Sequence, residues 1–336
     1  MQGEQERSED YQDENKMKPR FNILALDIFS KVINLFGNDD TVKISFDPQN
    51  NEVRLDGLIM NNQSIIRAIL TGKGEKGDIL GDLSIFGDGS KNKITLDSKS
   101  LKLMLKHASK GGASSMDLEP HEDRIDITCR DRGGNALTKH SVKRIDDSKV
   151  SDEEDDGLHN VDEIMDSIDY PCRTFVDGLR LFKSLQISCN ETIIERKDQT
   201  LQFTTDHTLL KTTMFLPMNM KKTTIAKNSS YKAHFTKLPI SLIARAAKVC
   251  SDGSKLGKNP SKSRKRPREE DEEDNDCDED EAFGVELFLC SEDPFGLKGS
   301  IGNNSSLTVY CSSKNGSDDD EEEEEGEEDD DDNNED

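Results

Sequence analysis

The chain has 336 residues, of which 32% are hydrophobic and 34% charged, with no tryptophan and a formal net charge of −25. That length suits two ordinary domains, but the apolar content is too low to pack the chain from end to end, so part of it is read as disordered. No apolar run approaches membrane-spanning length, and the seven cysteines form no CxxC pair and no His/Cys cluster at zinc spacing. Their odd number, with no signal-like segment, points to a reduced intracellular compartment and to thiols that act as small core residues.

The negative charge is unevenly distributed. Residues 146–169 hold 11 acidic groups, 267–281 hold 11 and 318–336 hold 16, so three runs contain 38 of the 70 acids. Only Lys149 and Arg268 accompany them, which leaves 43 basic residues against 32 acidic ones in the remainder. The body is therefore basic and its appendages acidic, and like-charge repulsion keeps such runs extended and solvated.

In chain order, residues 1–20 are polar and read as a loose tail. "RFNILAL" reads as a strand, and "DIFSKVINLF" has helical period, with Ile28, Phe29, Val32, Ile33 and Phe36 on one side. "TVKISFD", "NEVRLDGLI" and "SIIRAIL" are strands between Asn/Asp/Gly turns, and "DILGDLSIF" is a further extended piece. A lysine-bearing helix, "SKSLKLMLKHASK", comes next, and "SSMDLE", "RIDITCRD" and "ALTKHSVKRI" follow as strands. After the acidic run the order restarts. "PCRTFV" reads as a strand, "DGLRLFKSL" as a helix, and "ETIIERK", "TLQFTT", "TLLKTTMFL" and "SYKAHFT" as strands. "LPISLIARAAKVCS" is a helix with Pro239 in its first turn, and "AFGVELFLC", "PFGLKGSI" and "SLTVYCS" close the set. Both halves read strand–helix–strands–helix–strands, a duplicated α+β architecture with little sequence identity.

The helices share a pattern. At 100° per residue, Lys99, Lys102, Lys106 and Lys110 fall within an arc of roughly 80°, opposite Leu101, Met104, Leu105 and Ala108. Leu103 sits at the edge of the basic arc and spoils it. In "LPISLIARAAKVC", Arg245 and Lys248 share a side away from Ile240, Ile243 and Ala247. In "DGLRLFKSL", Arg180 and Lys183 face away from Leu181, Phe182 and Leu185, and the first helix offers Lys31. Lysines are common on any solvated helix face. Their recurrence on all four helices of an acidic chain points instead to a polyphosphate, whose binding by counterion release carries no sequence information. No aromatic residue interleaves with them, so base stacking is not indicated.

No catalytic constellation is found: "GKGEKGD" lacks the GK[ST] ending of a phosphate loop, HExxH is absent, and six scattered histidines have no nucleophile beside them. The chain reads as a binding protein, without cofactor or metal. From Phe21 to Ser313 it resembles a DNA sliding clamp of the proliferating cell nuclear antigen (PCNA) type. The resemblance rests on the duplicated order, on "SYKAHFTKLPISLIARAAKVCS" with "VELFLCSEDPFGLKGSIGNNSSLTVYC", and on "YPCRTFVDGLRLFKSLQISCNETIIERKDQTLQFTT". It implies two topologically similar clamp domains, with sheets outside and two helices per domain lining the inner face. The division it implies is a tail (1–20), a first domain (21–145), an acidic connector (146–170), a second domain (171–313) with an inserted segment (251–281), and an acidic tail (314–336).

The resemblance further implies a DNA polymerase processivity factor: a ring, usually of three subunits, around double-stranded DNA, with polymerase, repair proteins and a clamp loader as partners and no membrane. Carried over, the lining residues are Lys31, Lys99, Lys102, Lys106, Lys110, Arg180, Lys183, Arg245 and Lys248. "ALTKHSVKRI" of one subunit would pair with "TLLKTTMFL" of the next. A hydrophobic docking pocket for clients would be formed by Leu58, Ile65, Ile164, Met165, Ile168, Pro294 and Tyr310. Lys262, Arg264, Lys265, Arg266 and Arg268 around a proline resemble a nuclear import signal, which implies the nucleus or a site of viral DNA replication. Two further clamp variants share these features, a checkpoint-type clamp subunit and a non-ring viral processivity factor. An acidic histone-binding scaffold is the alternative outside the family.

Overall fold

The computed structural model describes residues 20–47, 50–59, 64–84, 93–121, 123–145, 164–171, 175, 177–178, 191–197, 200–207, 210–217, 231–256, 284–290 and 295–313. The first half runs β1 (Arg20–Ile23), α1 (Leu26–Ile33), β2 (Thr41–Asp47), β3 (Glu52–Ile59), β4 (Ser64–Thr71), β5 (Leu80–Ser84), β6 (Lys93–Asp97), α2 (Ser98–Lys110), β7 (Ser115–Pro120), β8 (Arg124–Arg130) and β9 (Ala136–Lys143). The second half runs β10 (Ile164–Pro171), β11 (Glu191–Lys197), β12 (Thr200–His207), β13 (Leu210–Pro217), β14 (Lys232–Thr236), α3 (Lys237–Gly253), β15 (Gly284–Cys290), β16 (Phe295–Ser300) and β17 (Ser306–Cys311).

Period-two alternation creates most of these strands. In β2 the side chains of Val42, Ile44 and Phe46 are buried while Thr41, Lys43, Ser45 and Asp47 are half-buried, and β4 and β8 repeat the pattern. Two readings are corrected. Lys93–Asp97 ("KITLD") is a strand that the sequence reading passed over, because it is only five residues long and Ile94, Thr95 and Leu96 are all buried, without alternation. In the second half the opening strand is Ile164–Pro171, which lies in the stretch read as acidic connector except for Pro171, the first residue of "PCRTFV"; Phe175, Asp177 and Gly178 are already helical. Strand pairing to β15 outweighs the local polarity of "MDSID".

The sheets repeat one design. In the first half β1-β7-β8-β9 and β6-β2-β3-β4 are hydrogen-bonded orders; in the second half β10-β15-β16-β17 and β14-β11-β12-β13 are their counterparts, strand for strand. β17 then pairs antiparallel with β4, from Ser306↔Ile69 to Cys311↔Ser64, and fuses the two halves into one eight-stranded sheet, β10-β15-β16-β17-β4-β3-β2-β6. The sheet edges include β9, the counterpart of β17, and β13, the counterpart of β4.

A side-chain clip reinforces the join. The β4–β5 loop turns at Gly77, whose φ of +98° suits glycine. In that loop the Asp78 carboxylate accepts from the backbone N–H of Lys73 (2.9 Å) and Glu75 (3.1 Å). Asn303, in the β16–β17 turn, donates from its side chain to the Lys76 carbonyl at 2.8 Å, and Ser305 Oγ bonds both the N–H and the carbonyl of Thr71. The helices lie on one side of the large sheet. α1 sits between α2 and α3, while α3 packs on β16 and β17 and α2 on β6 and β9. One continuous core runs through both halves, including Phe21, Phe29, Phe36, Phe203, Phe235 and Phe295.

Candidate functional site

The amphipathic reading of the lysine helix holds. Asp97 caps α2 by accepting from the Ser100 N–H at 2.8 Å, Leu101, Met104, Leu105 and Ala108 are buried, and Lys99, Lys106 and Lys110 are exposed. Leu103, the blemish, is 56% exposed on the same side. In α3, Ile240, Ile243 and Ala247 are buried and Arg245 and Lys248 exposed, as their spacing implied. α1 and α2 border an open cleft lined by Ser30, Asn34 and Asn38 together with Lys99, Lys102, Lys106 and Lys110.

The structure divides these cations into two groups. Lys31 Nζ lies 2.8 Å from Asp252 in the last turn of α3, an ion pair across the two halves. Lys102 Nζ donates to the carbonyls of Phe36 (2.5 Å) and Gly37 (2.9 Å) and to Asn38 Oδ1 (3.3 Å), and Arg245 Nη1 donates to the Asn34 carbonyl at 3.3 Å. Lys102 and Arg245 thus converge from neighbouring helices on the turn that leaves α1, Asn34 to Asn38, just beyond the negative end of its dipole. Desolvation lowers the Lys102 pKa from its ordinary value, with Asp40 opposing and Arg245 adding to the effect. Burial in turn raises that of Asp40, partly offset by the Gly37 N–H that its carboxylate accepts. Lys99, Lys106, Lys110 and Lys248 have no ion-pair partner among the described residues. Arg180 and Lys183, and the basic cluster Lys262, Arg264, Lys265, Arg266 and Arg268, lie outside the described residues.

On the opposite, outer face of the large sheet, the register aligns three residues of the expected pocket. Leu58 pairs with Ile65, and Ile65 with Tyr310, so the three side chains stand in one cross-strand row on β3, β4 and β17, each only half-buried. The row continues through Gly296 on β16 to Phe288 on β15. Because Gly296 has no side chain, the rings of Tyr310 and Phe288 stack across it, with centroids 6.1 Å apart and planes 24° from parallel. A Cβ at Gly296 would lie 2.7 Å from the Tyr310 ring.

The sequence reading missed Phe288 and Gly296. The signal for Phe288 was an apolar residue at the outward phase of "VELFL", between buried Leu287 and Leu289. Of the expected wall from the connector, Ile164 pairs with Cys290, and Ile168 pairs with Leu287, a core position of β15. The residue opposite Phe288 is Ser167, so the register takes Ile168 out of the row. Met165 falls at the irregularity between Ile164 and Asp166, and Pro294 is outside the described residues. Among the described residues no cluster of His, Cys, Asp or Glu fits a metal ion, and no helix is long and apolar enough to cross a membrane.

With this geometry in hand, comparisons with known proteins are informative at the level of structure alone. No protein-family model matches the chain, and no curated protein matches its sequence. Among solved structures, the proliferating cell nuclear antigen of Entamoeba histolytica superposes with a TM-score of 0.59 at 13% identity, over 88% of this chain and 99% of that one. The PCNA2–PCNA3 complex from Sulfolobus tokodaii gives a TM-score of 0.59 at 12% identity, again over 88% and 99% of the respective chains. The chain has the two-domain α+β fold of a PCNA-type sliding clamp.

Proposed function

We propose that this protein is a DNA sliding clamp and processivity factor, which encircles duplex DNA and docks polymerase and other replication and repair proteins. One observation carries the reading: Lys99, Lys106, Lys110 and Lys248, from helices of both halves, have no ion-pair partner among the described residues and lie on the helical side of a sheet that joins the halves. Such a face neutralises phosphates without reading sequence, which suits a protein that must slide. Lys31, Lys102 and Arg245 hold the helices in place behind it, and Arg180 and Lys183 extend it.

The internal repeat supports ring closure on this reading. β9 and β13 are the counterparts of β17 and β4, which pair within the chain, so β9 of one copy joins β13 of the next, in a ring of three copies. Leu137 on β9 and Phe215 on β13 are 42% and 60% exposed, apolar side chains on the edges that such pairing would cover. On this reading residues 21–145 and 171–313 are the two clamp domains. The Leu58–Ile65–Tyr310 row is the floor of the client pocket, completed by Pro294 and the connector, and the 262–268 basic cluster directs the protein to the nucleus. A clamp loader opens the ring.

Protein placed on linear duplex with both ends blocked should survive a high-salt wash and be released when one end is freed. Equal loss from blocked and open DNA overturns the tether. Sedimentation of the chain ending at Ser313 should show a trimer, and a monomer at every concentration overturns the ring of three.

A further inference from the structure

The acidic tail has a counterpart within its own molecule. Residues 318–336 hold 16 acidic residues and no basic ones, and only residues 312–317 separate them from the last strand. That strand ends beside a helix on the basic side: Cys311 Sγ lies 3.8 Å from the Pro239 carbonyl in the first turn of α3. The tail therefore starts at the N-terminal end of the 17-residue α3, where the helix dipole is positive, and Arg245 and Lys248 lie two to three turns along.

The distances permit contact. A 17-residue helix is about 26 Å long. α1 separates α3 from α2, and packed helix axes lie about 8–10 Å apart, so α2 is about 20 Å from α3. The segment 314–336 reaches up to about 75 Å when extended, enough to run along α3 and cross to Lys99, Lys106 and Lys110 on α2. Tethering gives the tail an effective concentration on the order of millimolar at that face, without any partner.

We propose that the tail 314–336 lies along the basic helical face of its own chain when DNA is absent, and that duplex DNA must displace it. This rests on the assignment of that face to DNA. The tail is a run of carboxylates with the same sign of charge as a phosphate backbone. It competes for Lys99, Lys106, Lys110 and Lys248 through the same counterion release, so it weakens adventitious binding to nucleic acid most at low salt.

Three forms decide the matter, each titrated with the same short labelled duplex: the full chain, the chain ending at Ser313, and the full chain with the tail carboxylates replaced by amides. At low salt both altered forms should bind the duplex ~10-fold more tightly or better than the full chain, and the gap should close as salt screens the contact. Equal affinity in all three overturns the tail contact and leaves the DNA face standing. If no form binds the duplex, the DNA assignment fails, and the contact is then judged by carbodiimide cross-linking of the free full chain. Links from the tail carboxylates to Lys99, Lys106, Lys110 or Lys248 support it, and their absence overturns it.

Discussion

Lys102 and Lys106 are one helical turn apart, carry the same charge and have different tasks. Lys102 donates to two carbonyls in the turn after α1, whereas Lys106 projects into solvent. Replacing Lys102 by alanine should cost about 1 kcal/mol, the net value of a partly screened, charge-assisted hydrogen bond. Lys106→Ala should leave stability unchanged, weaken DNA binding and reduce its salt slope by about 1. Denaturant melts paired with salt titrations separate the two, and identical behaviour would mean that the α1 contact has no energetic value. Cys311 makes a second test at this scale. Burial pushes its thiol up to about 12, with a Ser64 hydrogen bond acting the other way, and Cys129 and Cys250 are buried too. At about pH 8 an alkylating agent should leave these three unmodified in the native protein, because the thiolate is the reactive form. Labelling of Cys311 without unfolding would show that β17 opens locally.

Among the elements, the outer face of the large sheet depends on a missing side chain. Gly296 lets Phe288 and Tyr310 meet across β16, and an added Cβ falls within 2.9 Å of two Tyr310 ring carbons and 3.3 Å of Phe288. Gly296→Ala should therefore cost roughly 1–3 kcal/mol by overpacking, and part the rings. If this row is the floor of the client pocket, the same change should weaken binding of an apolar client peptide while DNA binding is preserved. Unchanged peptide binding would place the pocket elsewhere. The pair Leu58 and Ile65 shows how such a site is hidden in sequence. Each is an apolar residue at the outward phase of a strand, and only the β3–β4–β17 register sets them beside Tyr310, which is 245 positions beyond Ile65.

For the whole molecule, the β17–β4 seam and the clip at Asn303 make two halves into one cooperative body. Calorimetry should give a single unfolding transition, and two resolved transitions would show that the halves melt independently. Asn303→Ala removes the bonds to Lys76 and Asp78 and should lower that transition by about 2–4 °C. "GKGEKGD", considered in the sequence only as a phosphate loop that it fails to match, is the other half of this clip. Its function was invisible because its partner lies more than 220 residues away.

Local periodicity determined the duplicated order of elements, the buried and solvent sides of α2 and α3, and the contrast between a basic body and acidic runs, since each depends on neighbours within a few residues. Only the tertiary structure decided which cations are tied to carbonyls and carboxylates and which stay exposed, that the opening strand of the second half lies at Ile164–Pro171, and that Ile168 pairs with a core residue while Phe288 joins Tyr310. Those outcomes depend on strand register and helix packing between residues far apart in the chain, where the free energy of a contact leaves no trace in the local pattern.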